Sequence, residues 1–246
     1  MYKRQLIKLA CKLDCILRKD TDPGLMNKIS QIARMNFTFK LTPAKARMYH
    51  NRPRFNESYI LQAYYNLIIG AEKEILIENA YFIPRSFLRD ALRSAAKKGV
   101  RVVILTNSTQ TNDLPQVSQA ARYFYNDLLR VNTDSDAIKN GGKIEIIEWT
   151  GKNNKLGTLH SKFMVVDGEY GFVGSYNLDP RSQMLNNESG IAFQSKQHAK
   201  ELRDLFNEDT KQSNLIKDSE AKNFTCAKSI LEQIGLSASL WAKDWF

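Results

Sequence analysis

Hydrophobic and polar positions alternate along this chain with two periods. Apolar residues recur every three or four positions over 59–69, 87–98, about 117–129 and about 198–215, which predicts amphipathic helices. Between them lie short apolar or β-branched runs that predict buried strands, over 74–77, 101–106, 143–149, 163–166, 170–173 and 190–193. Helices that alternate with strands predict an α/β fold, in which helices sandwich a mixed β-sheet.

Positive charge is concentrated at the start of the chain, and the last predicted helix ends near residue 215. Residues 1–60 contain 13 Lys and Arg against 4 Asp and Glu, a net charge of +9, whereas the remaining residues carry +1. We therefore expect a basic leader or linker over 1–56, a main domain over 57–215 and a C-terminal tail over 216–246. Because the main domain is almost neutral, charge gives no argument for a nucleic-acid-binding surface there.

The basic leader has its own helical pattern. Leucine and isoleucine recur at helical spacing over 3–19, with most Lys and Arg on the other side. This pattern fits a helix packed on the rest of the protein, which we favour, and it also fits a basic helix lying on an anionic membrane. The chain has no apolar run near the roughly 18 residues of a spanning helix, so we expect peripheral membrane contact at most.

The most informative chemistry lies at the start of the predicted strand over 163–166. His160 and Lys162 are two positions apart, and side chains two apart on a strand project from the same face. An imidazole can attack phosphorus and carry it covalently, while an ammonium neutralises charge on the other phosphate oxygens. We therefore predict that His160 is a nucleophile and that Lys162 binds phosphate. This chemistry requires no metal and no other cofactor.

Four further residues complete the predicted site. Asp167 follows the strand directly, and we assign it to orienting its neighbours, since a carboxylate near a lysine is commonly ion-paired. Ser175 and Asn177 follow the next predicted strand and offer a hydroxyl and an amide to further phosphate oxygens. Glu188 lies 28 positions after His160, and its carboxylate is predicted to hydrogen-bond the far imidazole nitrogen. His-x-Lys alone is as readily structural, so the hypothesis depends on the joint pattern.

The joint pattern resembles the signature of the phospholipase D superfamily: His160-x-Lys162-x4-Asp167-x6-Gly174-Ser175-x-Asn177, then 178–182 and Glu188. The blocks at 177–182 and 187–190 resemble the C-terminal half of bacterial type C cardiolipin synthases. Upstream blocks at 78–84, 99–108 and 112–115 resemble strand ends and a loop of that half, so the resemblance covers about residues 57–210. It implies a phospholipase D-like half fold and phosphatidyl transfer through a phosphohistidine intermediate.

The resemblance also implies a second His-x-Lys motif facing the first, and this chain supplies one. The other two histidines are interpreted as surface or packing residues, since His50 precedes Asn-Arg-Pro and His198 precedes Ala-Lys on a predicted helix. The site is then completed by a homodimer partner across a two-fold interface, or by a second motif-bearing half on another polypeptide. We favour the second explanation, in which this chain is a separated C-terminal half and residues 1–56 are the remnant of a lost first half.

The leading hypothesis is a phosphatidyltransferase of cardiolipin synthesis that acts on an anionic phospholipid. The resemblance places it in the bacterial cytoplasm, peripheral to the inner membrane. Two alternatives remain open: a phosphodiesterase or nuclease active as a homodimer, and an inactive half with a binding or regulatory role. The neutral main domain and the block at 177–182 favour lipid over nucleic acid as the substrate.

Overall fold

The computed structural model describes residues 43–152 and 155–224, so the predicted leader helix and most of the predicted tail lie outside the described residues. The strands are β1 Lys45–Arg52, β2 Glu57–Ser58, β3 Glu74–Asn79, β4 Arg101–Asn107, β5 Lys143–Trp149, β6 Lys162–Val166, β7 Tyr170–Gly174, β8 Glu188–Gln194 and β9 Asn214–Leu215. The helices are α1 Tyr59–Ile69, α2 Ser86–Lys97, α3 Pro115–Tyr123, α4 Tyr125–Leu129, α5 Ser135–Asn140, α6 Pro180–Met184, α7 Lys196–Thr210 and α8 Asp218–Asn223. Two 3₁₀ turns cover Pro53–Phe55 and Arg130–Thr133.

All of these strands join one sheet in the order β2-β1-β8-β7-β6-β3-β4-β5-β9. The central strands β3, β4 and β5 are parallel, because helices connect each to the next. The other neighbouring pairs are antiparallel. The predicted mixed sheet between helices is therefore confirmed.

An apolar core lies under each face of the sheet. Successive residues of a strand point to opposite faces, so β3 supplies both cores. Its Ile75 and Ile77 belong to the core that α1 and α2 cover, whereas Leu76 packs in the smaller core with Phe206 of α7. Within the described residues, no helix combines the length and the apolar composition needed to cross a bilayer.

Three predicted boundaries differ from the structure. The helix predicted over 117–129 is two helices, α3 and α4, which meet at Phe124. The helix predicted over 198–215 ends at Thr210, because Leu215 pairs with Ile147 at the sheet edge. Strand β1 was not predicted, since its residues are mostly polar and exposed, yet β1 pairs with β8 over seven residues. The domain boundary expected at 56/57 therefore falls inside the β1–β2 hairpin.

Candidate active site

The predicted site residues converge, with one exception, at a single edge of the sheet, the one that is formed by strand ends. The parallel strands β3 and β4 end at this edge, at Asn79 and Asn107, and antiparallel β6 begins there, with Lys162 opposite Asn79. The end of β7 and the start of β8 lie at the same edge, because Gly174 pairs with Gly190. Four more predicted residues are carried by segments that border this edge, which we call the site edge: His160, Ser175, Asn177 and Glu188.

Asp167 is the exception, because it lies at the opposite end of β6. Its carboxylate accepts hydrogen bonds of 2.8–2.9 Å from the backbone N–H groups of Glu72, Lys73 and Glu74. Its φ of 53° lies in the left-handed region, as the turn from β6 to β7 requires. The prediction that Asp167 belongs to the catalytic set is therefore corrected: it orients backbone, and it joins the β6–β7 turn to the start of β3.

His160 is exposed at the site edge, just before β6 begins. Asn107 holds the neighbouring backbone: its side-chain nitrogen donates to the carbonyl of Leu159 at 2.8 Å, and its Oδ1 accepts from the Leu159 N–H at 2.9 Å. The same nitrogen donates to the carbonyl of Ala80 at 3.0 Å. Because Asn107 is itself buried at the end of β4, it fixes the segment before His160 to the sheet.

Lys162 is the buried cation of the site, with a relative exposure of 7%. Its ammonium donates to the backbone carbonyl of His160 at 2.7 Å. Burial lowers the pKa of Lys162, and the nearby carboxylates oppose that shift, in the order Glu188, Asp179 and Asp113. His160 and Lys162 were predicted to lie on one face of the same strand, but β6 begins only at Lys162, so His160 precedes the strand. The hydrogen bond from the Lys162 ammonium to the His160 carbonyl connects the two residues instead.

Glu188 organises hydroxyl groups at the start of β8. Its carboxylate accepts hydrogen bonds from the hydroxyl of Ser175, from that of Ser182 at 3.1 Å and from the side-chain nitrogen of Asn186 at 3.2 Å. Within the described residues, no hydrogen bond joins Glu188 to His160. The structure thus does not form the predicted carboxylate–imidazole pair, and it commits the Ser175 hydroxyl to Glu188.

The block at 177–182 leads into helix α6. Asp179 caps this helix by accepting a hydrogen bond of 2.6 Å from the N–H of Ser182, and burial raises the pKa of Asp179 to about 6. Asn177 is 8% exposed, and its Oδ1 is buried without a hydrogen-bond partner. Its side-chain nitrogen donates to no group of the described residues. An amide without internal partners is suited to binding a phosphate oxygen.

Sequence reasoning assigned no role to three buried asparagines that build the site edge. Besides Asn107, Asn79 accepts a hydrogen bond from the N–H of Leu178 at 3.1 Å and donates to the carbonyl of Tyr176 at 3.3 Å. Asn51 donates to the carbonyl of Ser182 at 2.9 Å. At positions 79 and 107 the sequence does contain a signal, since each asparagine follows an apolar run that ends at a strand terminus.

Comparison with known proteins shows relatives of this chain. A family model described as "Cardiolipin synthase, PLD-like domain" matches residues 64–210. Cardiolipin synthase B of Escherichia coli is 32% identical over 157 residues, which cover 63% of this chain and 34% of the relative. Probable cardiolipin synthase YwiE of Bacillus subtilis is 32% identical over 150 residues, 61% of this chain and 26% of that protein. The chain therefore spans about a third or less of these two relatives.

Two solved structures share the fold. Phosphatidylserine synthase of Haemophilus influenzae superposes with a TM-score of 0.62 at 16% identity, over 91% of this chain and 54% of that chain. NUC, a phospholipase D family member from Salmonella typhimurium, superposes with a TM-score of 0.55 at 17% identity, over 71% and 99%. The same architecture thus accounts for about half of one protein and nearly all of the other.

Proposed function

We propose, from the premise that the chain belongs to the cardiolipin synthase, phospholipase D-like domain family, that it transfers a phosphatidyl group from an anionic phospholipid to a hydroxyl group. One observation carries the proposal: the exposed His160 lies at the site edge with its backbone carbonyl bonded to the buried Lys162 ammonium. The unpartnered amide of Asn177 lies on a segment that borders the same edge. A nucleophile, a cation and a hydrogen-bond donor are the groups that displacement at phosphorus needs.

The proposed reaction has two displacements. In the first, the His160 imidazole attacks the phosphorus of phosphatidylglycerol, a P–N bond forms, and the P–O bond to the glycerol headgroup breaks as glycerol takes up a proton. In the second, a hydroxyl of another lipid loses its proton and attacks phosphorus, the P–N bond breaks, and cardiolipin is released. Lys162 and Asn177 bind the phosphate oxygens throughout. Water in place of the lipid hydroxyl gives hydrolysis.

The group that donates and accepts these protons is proposed to be an imidazole from outside this chain. His198 lies at the start of α7, at the opposite edge of the sheet, where its ring contacts the Ser195 hydroxyl at 2.9 Å. His50 lies on β1, three strands from β6, or about 14 Å at the spacing of a sheet. Its ring pairs with Glu57 at 3.0 Å. A separate half that carries another His-x-Lys motif is our preferred source, and a second copy of this chain is the alternative.

The experiment is phosphatidyl transfer by the purified full chain, alone and mixed with a protein that carries the first-half motif. We expect cardiolipin to form from phosphatidylglycerol, and a phosphate-labelled protein intermediate to accumulate. Both signals disappear in His160→Ala and persist in the matched control His198→Ala. Transfer by His160→Ala at the rate of the unchanged chain contradicts the proposal. Metal-independent cleavage of single-stranded DNA without lipid transfer supports the nuclease alternative, and neither activity in a monomer supports the inactive half.

A further inference from the structure

A groove of about 470 Å³ opens between the start of α1 and the start of α2. Three aromatic side chains line it, Tyr59, Tyr65 and Phe87, and all three are exposed. The rings of Tyr65 and Phe87 have their centroids 6.1 Å apart. Phe55, in the 3₁₀ turn beside the groove residue Asn56, is 68% exposed. Four large aromatic side chains in this part of the surface are therefore exposed to solvent.

Unpaired cations accompany these rings. Arg54 and Arg85 are exposed, and neither forms an ion pair with a carboxylate among the described residues. Residues 51–59 contain Arg52, Arg54 and a single acid, Glu57, which pairs with Arg52. Arg54 and Arg85 therefore give this surface an uncompensated positive charge, although the chain beyond residue 60 is nearly neutral. We call the following set the aromatic–arginine surface: Arg54, Phe55, Tyr59, Tyr65, Arg85 and Phe87.

The aromatic–arginine surface borders the site edge. Arg85 directly follows a segment that is tied to the block at 177–182, since the N–H of Ile83 donates to the carbonyl of Leu178 at 2.8 Å. Burial raises the pKa of Tyr176, next to Asn177, and the guanidinium of Arg85 is close enough to oppose that shift. A ligand that contacts this surface therefore also lies beside the candidate active site.

We propose that the aromatic–arginine surface binds the interface of an anionic phospholipid bilayer and holds the site edge next to its lipid. The choice of lipid as the occupant rests on the proposed function and on charge complementarity. Tyrosine and phenylalanine rings favour the boundary between headgroups and acyl chains, and unpaired arginines are attracted to anionic headgroups. The groove is lined by no acidic residue, and the exposed Arg54 and Arg85 lie two positions from its lining residues Asn56 and Phe87, so the charge of this surface complements that of anionic headgroups.

The experiment is co-sedimentation of the full chain with vesicles of phosphatidylcholine that contain phosphatidylglycerol, and with vesicles of phosphatidylcholine alone. Phe55→Ser combined with Phe87→Ser, and Arg54→Gln combined with Arg85→Gln, are each expected to weaken binding to the anionic vesicles by about tenfold. The matched control is Ile138→Ser with Lys139→Gln, an exposed apolar–basic pair on α5 at the opposite edge of the sheet, which binds as the unchanged chain does.

The outcomes separate this proposal from the proposed function. His160→Ala is expected to bind vesicles normally while it loses phosphatidyl transfer, so failure of the chemistry leaves the binding measurement intact. Equal vesicle binding by both double variants and the unchanged chain overturns the proposal, and it assigns any binding to another part of the chain. A change of oligomeric state in the double variants without a change in vesicle binding also overturns it, since the surface then contacts protein.

Discussion

The parallel and antiparallel regions of the sheet differ in how completely they are covered. In the parallel region, β3 to β5, both faces pack under helices, and β4 residues such as Val103 and Ile104 are buried on opposite faces. In the antiparallel region, α1 covers one face of β7, β8 and β1. On the opposite face, α7 packs mainly on β6 and β7 and leaves most of β8 and β1 uncovered. The pairing register aligns Val173, Ile191 and Met48 in one exposed row on that face.

The candidate active site lies where these two regions of the sheet join. The two regions meet at β3 and β6, where Asn79 pairs with Lys162. The parallel region supplies rigid strand ends, whose asparagines hold the surrounding loops, and the antiparallel region supplies the exposed or partly exposed His160, Ser175 and Glu188. A site at this junction combines a fixed backbone with access from solvent, which suits a reaction that admits lipid and a second protein group.

The largest expected effect tests the coverage difference itself. Ile104→Ala removes a fully buried side chain from the parallel region and is expected to lower the free energy of unfolding by about 2–5 kcal/mol. Ile191→Ala, in the exposed row, is expected to change it by less than about 0.5 kcal/mol. Urea denaturation of both variants provides the measurement. Similar losses for the two contradict an open face on the antiparallel region.

The second prediction concerns the hydrogen bonds by which Asp167 joins the two regions at the edge opposite the site. Asp167→Ala deletes the acceptor of three backbone hydrogen bonds and is expected to cost about 2–4 kcal/mol of unfolding free energy. Asp167→Asn, which keeps one acceptor oxygen, is expected to cost less. Thermal or urea unfolding gives the comparison. Loss of phosphatidyl transfer at full stability contradicts the backbone-orienting role and restores Asp167 to the catalytic set.

The third prediction breaks the connection at the site edge. Asn107→Ala removes the side-chain partners of the Leu159 N–H and carbonyl, and leaves the carbonyl of Ala80 with only the Thr106 hydroxyl at 3.4 Å; the expected cost is about 1–3 kcal/mol. Because the segment before His160 is released, we expect formation of the protein-bound phosphate to slow more than lipid binding weakens. Single-turnover labelling against vesicle co-sedimentation separates the two quantities. Asn132→Ala is the matched control, because Asn132 likewise donates to the carbonyl of Ile144 at 2.9 Å and accepts from its N–H at 2.8 Å, away from the site edge.

The last prediction concerns the pH dependence of stability at the segment that follows β7. Burial raises the pKa of Asp179 to about 6 from 3.8, so the folded state binds more protons than the unfolded state between these values. The contribution of Asp179 is therefore present at low pH and falls as pH rises from about 4 to about 6, by about 3 kcal/mol. Asp179→Asn is expected to flatten this part of the stability curve. An unchanged slope contradicts a neutral, buried carboxyl.

The parts of the fold that the sequence predicted follow from local pattern. The boundaries of the parallel strands and of helix α2 were predicted to within about two residues, because apolar runs and helical periodicity directly reflect which positions are buried. Strand β1 was missed, because a strand with one open face and several basic residues, which β2 flanks over two residues only, has no such pattern. The end of α7 was missed because the pairing of Leu215 with Ile147 is a long-range contact.

The pattern of residues was enough to predict the family, the α/β architecture and the residue types of a candidate phosphate-binding site, since motif chemistry and burial patterns are local properties of a chain. Which of those residues lie close together depends on how the chain folds in three dimensions. Lys162 is the first of the five residues of β6 and Asp167 follows the last, so the length of the strand places one at the site edge and the other at the far edge. The partners of Glu188, Asn79 and Asn107 depend on segments far away in sequence, because hydrogen bonds are selected by distance in space.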